Sequence, residues 1–276
     1  MKFKNLLFEK ELNEVLITVG KKPYPLSGNV VILAGGAASG KGFVKDKLLA
    51  IEGINCDVDA IKELALKSEL ISARAKKEYG IDFSKMDLKN PDDVSRLHSL
   101  LTDMKVLDKH RIATYMGVLV ADPERKPNII FDVTLKDITK LNNLTADVSI
   151  LGYAKENIHI VWVVNDVKVA LIQNKERKRV VSDDILIDTH EGASLTMKKI
   201  IDMGDSLKKY MDGSIILAFN KRGVDITVKK SDNGGMYIDK ATYVVVKTPG
   251  NPVDDQKITD EVVDKIREYT PKINTW

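Results

Sequence analysis

One short segment has the residue types and spacing of a loop that binds phosphate. It follows the apolar run NVVILA and reads Gly35, Gly36, Ala37, Ala38, Ser39, Gly40, Lys41, Gly42 and Phe43. Small residues let backbone N–H groups approach phosphate oxygens, a following helix adds positive potential, and Lys41 supplies a mobile cation. The spacing matches the G-x-x-x-x-G-K part of the Walker A pattern. We therefore predict nucleotide phosphate binding at residues 35–43, with Lys41 also acting in catalysis.

The position after Lys41 departs from the Walker A pattern. That position usually holds a serine or threonine whose hydroxyl binds magnesium, and here it is Gly42. No direct hydroxyl ligand is therefore expected at this point. A magnesium ion would have to be held by waters and by acidic groups elsewhere.

Three aspartates stand at the ends of apolar runs. Asp57 and Asp59 close the run GINCDVD, and Asp132 closes PNIIFD. In a parallel sheet these strand ends face the ligand crevice. A carboxylate there can accept the proton of an attacking hydroxyl or hold the water shell of a magnesium ion. We predict a chemical role for at least one of Asp57 and Asp59, with Asp57 binding substrate, and a water-mediated magnesium role for Asp132.

Each of these aspartates also has a structural explanation. Asp59 would cap a helix beginning near Ala60, and Asp132 would be a turn residue. Capping and catalysis are compatible. Thr134 and Lys136 follow Asp132 closely, and we predict that they contact substrate or phosphate.

A basic segment follows the fourth apolar run. Residues 174–179 read NKERKR, with four cations around one acid. Most such runs are solvated helix faces. Nucleotide kinases, however, carry at this place a lid whose arginines close over the transferring phosphate. We predict a lid near residues 174–185 in which Arg177 and Arg179 are catalytic cations.

The elements that must position these side chains alternate between strand and helix. Five apolar runs, at NVVILA, GINCD, PNIIFD, NIHIVWVVN and SIILAFN, are separated by helical patterns. This order predicts an α/β fold of the P-loop NTPase type, a parallel five-stranded sheet sandwiched by helices. The predicted division is an N-terminal helix and linker (1–28), the core (29–220), and a C-terminal β-hairpin appendage with a final helix (221–276).

Local signals support the two flanking parts. Residues 5–19 carry apolar positions at helical spacing. After residue 220 the pattern alternates around the turn signal at residues 232–235, as antiparallel strands do. A last helical pattern begins after Pro252 and ends before Pro271.

Composition sets broad limits on function. The 276 residues are 43% hydrophobic and 30% charged, which excludes a disordered, collagenous or coiled-coil chain. The net charge of +3 is too small to indicate a nucleic-acid partner. A single cysteine, Cys56, excludes an internal disulfide framework, and four scattered histidines argue against zinc. Lacking a long apolar run or a signal-peptide core, the chain is predicted to be cytoplasmic, with no membrane partner.

Several motifs together resemble a known family. The loop GGAASGKG is similar to that of adenylate-kinase-like nucleotide kinases, in which glycine also follows the lysine. Together with the other motifs, this loop gives residues 29–230 a resemblance to the zeta-toxin family of P-loop kinases. Those motifs are Asp57-Val58-Asp59, Asp132-Val133-Thr134, the basic segment around Arg179 and the late block GSIILAFNKRGVDIT.

The resemblance implies an activity and roles for individual residues. The family phosphorylates a hydroxyl with ATP, and in its best-known members the acceptor is UDP-N-acetylglucosamine. By this resemblance Asp59 is the general base, Lys41 the phosphate clamp, Arg179 a lid cation and Asp132 the acid near metal and substrate. Lys136 stands where the family often has an arginine.

Two departures limit what is carried over. Gly42 replaces the family's usual serine or threonine, and the long region 80–127 does not map onto the family pattern. That region reads as a helical substrate region. The acceptor specificity of the toxins is therefore not carried over.

The expected function is a kinase that transfers the γ-phosphoryl group of ATP, with Mg²⁺, to a hydroxyl of a nucleotide, nucleotide sugar or related metabolite. One alternative keeps this chemistry with a DNA or RNA acceptor, which the basic residues at 175–179 and 221–230 permit. Another is a non-catalytic nucleotide-binding module. The resemblance also leaves open an antitoxin-like protein partner.

Overall fold

A computed structural model describes most of the chain. The predicted helix at 5–19, the turn at 232–235 and the basic pair at 221–222 lie outside the described residues. The described residues are 28–49, 51–121, 123–220, 228–230, 236–238, 241–270 and 276.

The strands form one large sheet and one small hairpin. In chain order they are β1 (Val30–Ala34), β2 (Ile54–Asp57), β3 (Ile129–Asp132), β4 (Ile158–Asn165), β5 (Ile215–Asn220), β6 (Val228–Lys230), β7 (Met236–Ile238) and β8 (Ala241–Lys247). The large sheet has the order β2-β3-β1-β4-β5-β8. β1 to β5 run parallel, and β8 is antiparallel to β5. β6 and β7 pair as the predicted antiparallel hairpin.

The inner strands are apolar because both of their faces are covered. Every residue of β1 and of β4 is buried. A near-continuous run of β-branched residues is what a parallel strand between two layers of helices requires. The predicted parallel sheet is therefore confirmed.

The helices connect these strands and cover the sheet. They are α1 (Lys41–Val44, continued by a π-helical turn at Lys45–Leu49), α2 (Val58–Lys67), α3 (Glu69–Tyr79), α4 (Pro91–Asp103), α5 (Val106–Leu119), α6 (Ile138–Ile150), α7 (Val167–Glu176), α8 (Asp183–Asp202) and α9 (Asp260–Tyr269). Short 3₁₀ turns lie at Phe83–Lys85, Pro123–Arg125, Lys155–Asn157, Gly204–Lys209 and Asp255–Lys257.

The two faces of the sheet have separate apolar clusters. One face packs Ile32 and Trp162 against side chains of α6, α8 and α9. On the other face, Val44 of α1 and Leu49 pack against Leu33 and its neighbours. α1 and α6 therefore lie on opposite faces, and the chain leaves adjacent strands β1 and β3 in opposite directions. Such a switch point opens a crevice at the carboxyl ends of the strands.

The sheet has six strands where five were predicted. The sixth, β8, comes from the C-terminal part assigned to an appendage and pairs with β5 in the same sheet. α9, which confirms the predicted final helix, packs on the core through Val262 and Ile266. Trp276 stacks on Trp162 with ring centroids 5.6 Å apart. The alternating apolar pattern of β8 is explained by its pairing with the edge of the sheet. If β8 belonged to a separate hairpin, that edge would be left exposed.

The region between β2 and β3 is helical, as predicted for residues 80–127. It consists of α2 to α5, which share a small apolar cluster built on Phe83, Leu97 and Leu101. Within the described residues, no helix is long and apolar enough to cross a membrane.

Candidate active site

The glycine loop joins β1 to α1 at the carboxyl edge of the sheet. Gly35 and Gly40 have φ angles of 144° and 90°, in the region that favours glycine. A side chain on Gly35 would also meet the carbonyl of Val163. These two glycines are required by the path of the loop.

Lys41 lies at the first position of α1 and points back into the loop. Its Nζ donates hydrogen bonds to the carbonyls of Gly35 at 2.8 Å and Gly36 at 3.2 Å. The same Nζ is 3.5 Å from Oδ1 of Asp132. The predicted phosphate cation and the predicted metal carboxylate are therefore ion-paired.

The carbonyls of residues 37–39 are held by three side chains from other elements. His190 Nε2 donates a hydrogen bond to the carbonyl of Ala37 at 2.8 Å. Asn165 Nδ2 donates to the carbonyl of Ala38 at 3.2 Å, and Asn220 Nδ2 to that of Ser39 at 2.8 Å. Asn165 and Asn220 end β4 and β5, and His190 lies on α8. Three elements outside the loop therefore fix the backbone of residues 37–39.

Asp57 and Asp132 end neighbouring strands in register. Asp57 caps α2, since its Oδ1 accepts a hydrogen bond from the backbone N–H of Asp59 at 2.8 Å. The predicted cap at Asp59, with a helix beginning near Ala60, is therefore wrong by two residues. Asp57 takes the capping role because the strand ends there and Val58 already has helical geometry, which leaves the Asp59 side chain available.

Asp59 is ion-paired with the lid. Oδ2 of Asp59 accepts a hydrogen bond from Arg179 Nη2, and Oδ1 is 3.5 Å from Nζ of Lys62. Arg179 is buried, and burial lowers its pKa, an effect that the charge of Asp57 opposes. The structure brings together the predicted base and a predicted lid cation that are 120 positions apart.

Burial shifts the pKa values of the ion pair beneath the loop. It raises the pKa of the Asp132 carboxyl, and the charge of Lys41 partly offsets this. It lowers the pKa of the Lys41 amine, which the charge of Asp132 partly restores. Burial likewise lowers the pKa of Arg177, against the charges of Asp132 and Asp57. At each of these groups, partial burial disfavours the charge and an opposite charge nearby favours it.

Two adjoining cavities meet at these charges. One, of about 570 Å³, is lined by the loop and by α7; the other, of about 470 Å³, is lined by α2, the segment after β3 and α8. The residues common to both linings are Ala38, Lys41, Asp57, Asp59, Asp132, Arg177 and Arg179. Six of these seven side chains are charged, three of each sign.

The other predicted residues lie around this centre. The carbonyl of Thr134 accepts a hydrogen bond from the N–H of Gly35 at 3.3 Å. Thr134 and Lys136 line the smaller cavity, and Lys136 Nζ is 2.7 Å from Asp188. Phe43 packs against the apolar cluster beneath α1.

Several residues of this site were missed by sequence reasoning. Asn165 and Asn220 had a visible signal, since each is a polar residue that ends an apolar strand. His190 had none, because it lies within a helix and contacts a residue 153 positions away. Asn174 begins the predicted lid segment, but its contact seven positions along the chain was not predicted. Asn174 is buried at the end of α7; its Nδ2 donates to the carbonyl of Val181 at 2.7 Å and its Oδ1 accepts from the Val181 N–H at 3.2 Å.

Among the described residues, no group of three or more His, Cys, Asp or Glu side chains forms a metal site. Asp57 and Asp132 are the carboxylates at neighbouring strand ends that face both cavities. These are two carboxylates near Lys41 that could hold a divalent cation.

The fold and the loop define a class. A glycine loop between β1 and α1, in a parallel sheet of order β2-β3-β1-β4-β5, is a P-loop α/β fold. The fold that the resemblance to the zeta-toxin family predicted is confirmed. No family model and no curated protein sequence matches the chain.

The structure is similar to several solved structures. A crystal structure of AvrRxo1-ORF1:AvrRxo1-ORF2 with sulphate ions has 14% identity and a TM-score of 0.47, covering 90% of this chain and 65% of that chain. A crystal structure of AvrRxo1-ORF1:-ORF2 with ATP has 15% identity and a TM-score of 0.48, with the same coverage of 90% and 65%. A structure of the PezAT chromosomal toxin-antitoxin system of the human pathogen Streptococcus pneumoniae has 11% identity and a TM-score of 0.43, covering 98% of this chain and 90% of that chain.

These similarities concern overall structure. The chain spans 65% of the AvrRxo1 chains that it matches. At TM-scores below 0.5 and identities of 15% or less, the likeness assigns no activity, substrate or partner to this chain.

Proposed function

We propose that this chain is an ATP-dependent kinase that transfers the γ-phosphoryl group to a hydroxyl of a nucleotide, nucleotide sugar or related small molecule. The observation that carries the proposal is the meeting of two cavities at one set of charged side chains, three basic and three acidic. Phosphoryl transfer needs cations around the moving phosphate and a carboxylate beside the attacking hydroxyl. Basic and acidic side chains of the kinds required line the junction of the two cavities, which supports the proposal.

The two cavities have different linings, which suggests one role for each. The larger cavity takes in Ser39, Gly40 and Gly42 of the loop, so we assign it to the phosphates of ATP. The smaller includes Val58, Val133 and other apolar side chains with few loop atoms, so we assign it to the acceptor. The acceptor hydroxyl would then approach the γ-phosphorus from the side of Asp59.

In the proposed reaction Asp59 removes the proton of the acceptor hydroxyl. The acceptor oxygen forms a bond to the γ-phosphorus as the bond to the ADP oxygen breaks. For Asp59 to act as a base, Arg179 must leave it, and the transferring phosphate offers Arg179 an alternative anion. Arg177 supports this arrangement, because its buried Nη1 has no hydrogen-bond partner among the described residues.

The residues present fit a magnesium ion that arrives with the nucleotide. Mg²⁺ keeps several waters and binds through one or two carboxylates plus phosphate oxygens. Asp132 and Asp57 are a suitable pair, and Gly42 adds no hydroxyl. When bound, the ion would neutralise charge on the transferring phosphate.

Substitution of the base separates chemistry from binding. We expect Asp59→Asn to bind ATP within about threefold of wild type while kcat falls by about 10³-fold, the usual contribution of a general base. Lys41→Ala should weaken ATP binding at least about tenfold, since it removes a charged donor to phosphate. Isothermal titration and a transfer assay with γ-labelled ATP measure both quantities.

The matched control is Asp108→Asn on α5. Asp108 is exposed and pairs only loosely with Arg111, at 3.5 Å, so binding and transfer should be unchanged. Unchanged ATP binding in Lys41→Ala would contradict the assignment of the loop. Full transfer activity in Asp59→Asn would contradict the assignment of the base.

The acceptor is identified by offering γ-labelled ATP with separate pools of nucleotide sugars, nucleosides and DNA. Label in a small-molecule pool supports the proposal. Label in DNA, with steep loss of activity as salt rises, would favour the polynucleotide alternative. ATP binding without transfer to any pool or to water would favour a nucleotide-binding module.

A further inference from the structure

The phosphate loop is hydrogen-bonded to α8 through both backbone groups of Ala37. The N–H of Ala37 donates to Thr189 Oγ1 at 3.0 Å, and the carbonyl of Ala37 accepts from His190 Nε2 at 2.8 Å. Thr189 and His190 are consecutive and buried. One turn of α8 therefore binds both the N–H and the carbonyl of Ala37.

The ring of His190 also occupies the space above Gly36. A Cβ built on Gly36 would overlap the His190 ring atoms. Gly36 has no left-handed φ angle, so its backbone alone would accept alanine. The histidine ring, and not the chain path, is what demands glycine at this position.

Hydrogen bonds that fix the direction of the loop carbonyls also affect the direction of the loop N–H groups. Successive backbone N–H groups bind phosphate when they point into one concavity, and the carbonyls must then point away from it. A buried carbonyl that points away needs a donor of its own. His190, Asn165 and Asn220 are such donors for three successive carbonyls.

We propose that His190 is a positioning residue of the phosphate loop, which holds the Ala37 carbonyl and packs on Gly36 so that the loop is shaped for phosphate before the nucleotide arrives. This rests on the proposed function only in taking the loop as the nucleotide phosphate site. His190 touches neither substrate nor reacting atoms in this arrangement. Its effect passes through the backbone of residues 36 and 37.

A pair of substitutions tests the hydrogen bond. His190→Gln keeps an N–H donor within reach of the carbonyl, whereas His190→Phe keeps a ring and loses the donor. We expect ATP affinity to fall about tenfold in His190→Phe, as for an orphaned buried carbonyl, and by less than about threefold in His190→Gln. Equal affinities in the two variants, or wild-type affinity in His190→Phe, would overturn the proposal.

A second cycle tests the packing. Gly36→Ala should weaken ATP binding at least about tenfold in the wild-type protein, because its methyl group meets the ring. In a His190→Ala background the same change should cost no more than about twofold, since the space is then open. Equal losses of ATP affinity in the two backgrounds would show that the His190 ring is not the reason why position 36 requires glycine.

A readout without nucleotide separates this proposal from the kinase proposal. Hydrogen exchange of residues 35–42 in the free protein should be faster in His190→Phe than in wild type or His190→Gln. Unchanged exchange would overturn the positioning role even if Lys41→Ala abolishes ATP binding. If the wild type binds ATP but transfers no phosphoryl group, with exchange altered as expected, the kinase proposal alone is overturned. Thermal unfolding of each variant confirms that it is folded.

Discussion

At the scale of single residues, Gly42 separates this loop from the usual Walker A pattern. Nothing lies within 4 Å of a Cβ built on Gly42, and its φ angle is not left-handed. The position after Lys41 therefore has room for a side chain. The backbone conformation would therefore allow a residue with a hydroxyl at position 42, and glycine is not required there.

Gly42→Ser is therefore expected to fold normally and to bind ATP. Serine adds a hydroxyl where Walker A proteins coordinate magnesium, so the Mg²⁺ concentration for half-maximal activity should fall several-fold. Gly42→Ala is the matched control, which adds the Cβ without the oxygen. If serine and alanine variants show the same Mg²⁺ dependence, the metal does not lie next to this position.

The chemical roles proposed above involve oxygen and nitrogen atoms of side chains that line both cavities, and the thiol of Cys56 has no such role. Cys56 ends up partly buried in β2, and burial raises the pKa of its thiol to about 11. A thiol with so high a pKa carries almost no thiolate at neutral pH and is a poor nucleophile. The single cysteine therefore has a packing role beside the acidic strand end.

At the scale of elements, the connection between α7 and α8 determines where the lid arginines lie. α7 ends at Glu176 and α8 begins at Asp183. Asn174 closes this connection by its two hydrogen bonds to Val181. Arg177 and Arg179 lie between residues 174 and 181, so this pair of hydrogen bonds restrains the segment that carries both cations.

Asn174→Ala should therefore loosen the lid. Losing both hydrogen bonds leaves a buried N–H and a buried carbonyl unpaired, at about 1–3 kcal/mol of stability. We expect kcat to fall about tenfold, a smaller change in KM for ATP, and faster tryptic cleavage after Arg177 and Arg179. Steady-state kinetics and limited proteolysis measure these effects.

Ile172→Ala is the matched control on the same helix. Ile172 is exposed, so its truncation removes little packing, and alanine is a strong helix former. Its cleavage pattern should be that of wild type. If Asn174→Ala is equally resistant to trypsin, the two hydrogen bonds do not hold the lid.

At the scale of the whole molecule, two buried histidines make stability depend on pH. Burial lowers the pKa of His159 to about 3 and that of His190 to about 4, against an ordinary value of 6.5. Nδ1 of His159 accepts a hydrogen bond from the N–H of Ser214 at 3.0 Å, which requires that nitrogen to be unprotonated. Burial therefore favours the neutral form of both rings in the folded protein.

Stability should therefore fall as the pH falls below 6.5. Between that value and the folded pKa values, the unfolded chain binds protons that the folded chain does not, so acid favours unfolding. From pH 7 to pH 5 each histidine should lower the free energy of unfolding by about 2 kcal/mol. Urea unfolding at the two pH values measures the change.

His190→Gln isolates one part of this effect. The variant keeps a hydrogen-bond donor but cannot titrate, so its loss of stability from pH 7 to pH 5 should be about 2 kcal/mol smaller than that of wild type. The remaining carboxylates titrate alike in both proteins and cancel in the comparison. An equal loss in the two proteins would mean that His190 is not held neutral.

Local patterns were sufficient for much of the fold. The glycine loop, the five parallel strands, the small hairpin and the final helix were predicted correctly because each depends on the spacing of apolar, glycine and proline residues within a short segment. The same locality explains why Lys41 and Asp132 were recognised. Each stands at a fixed offset from the end of an apolar strand.

The sequence by itself determined which chemical groups the edge of the sheet carries, because side-chain identity and strand ends are local properties. Only the tertiary structure decided that β8 joins that sheet, that Asp59 pairs with Arg179, and that His190 reaches the loop. These contacts join segments as much as 153 positions apart. They depend on how helices pack over a sheet, and no local spacing encodes that packing.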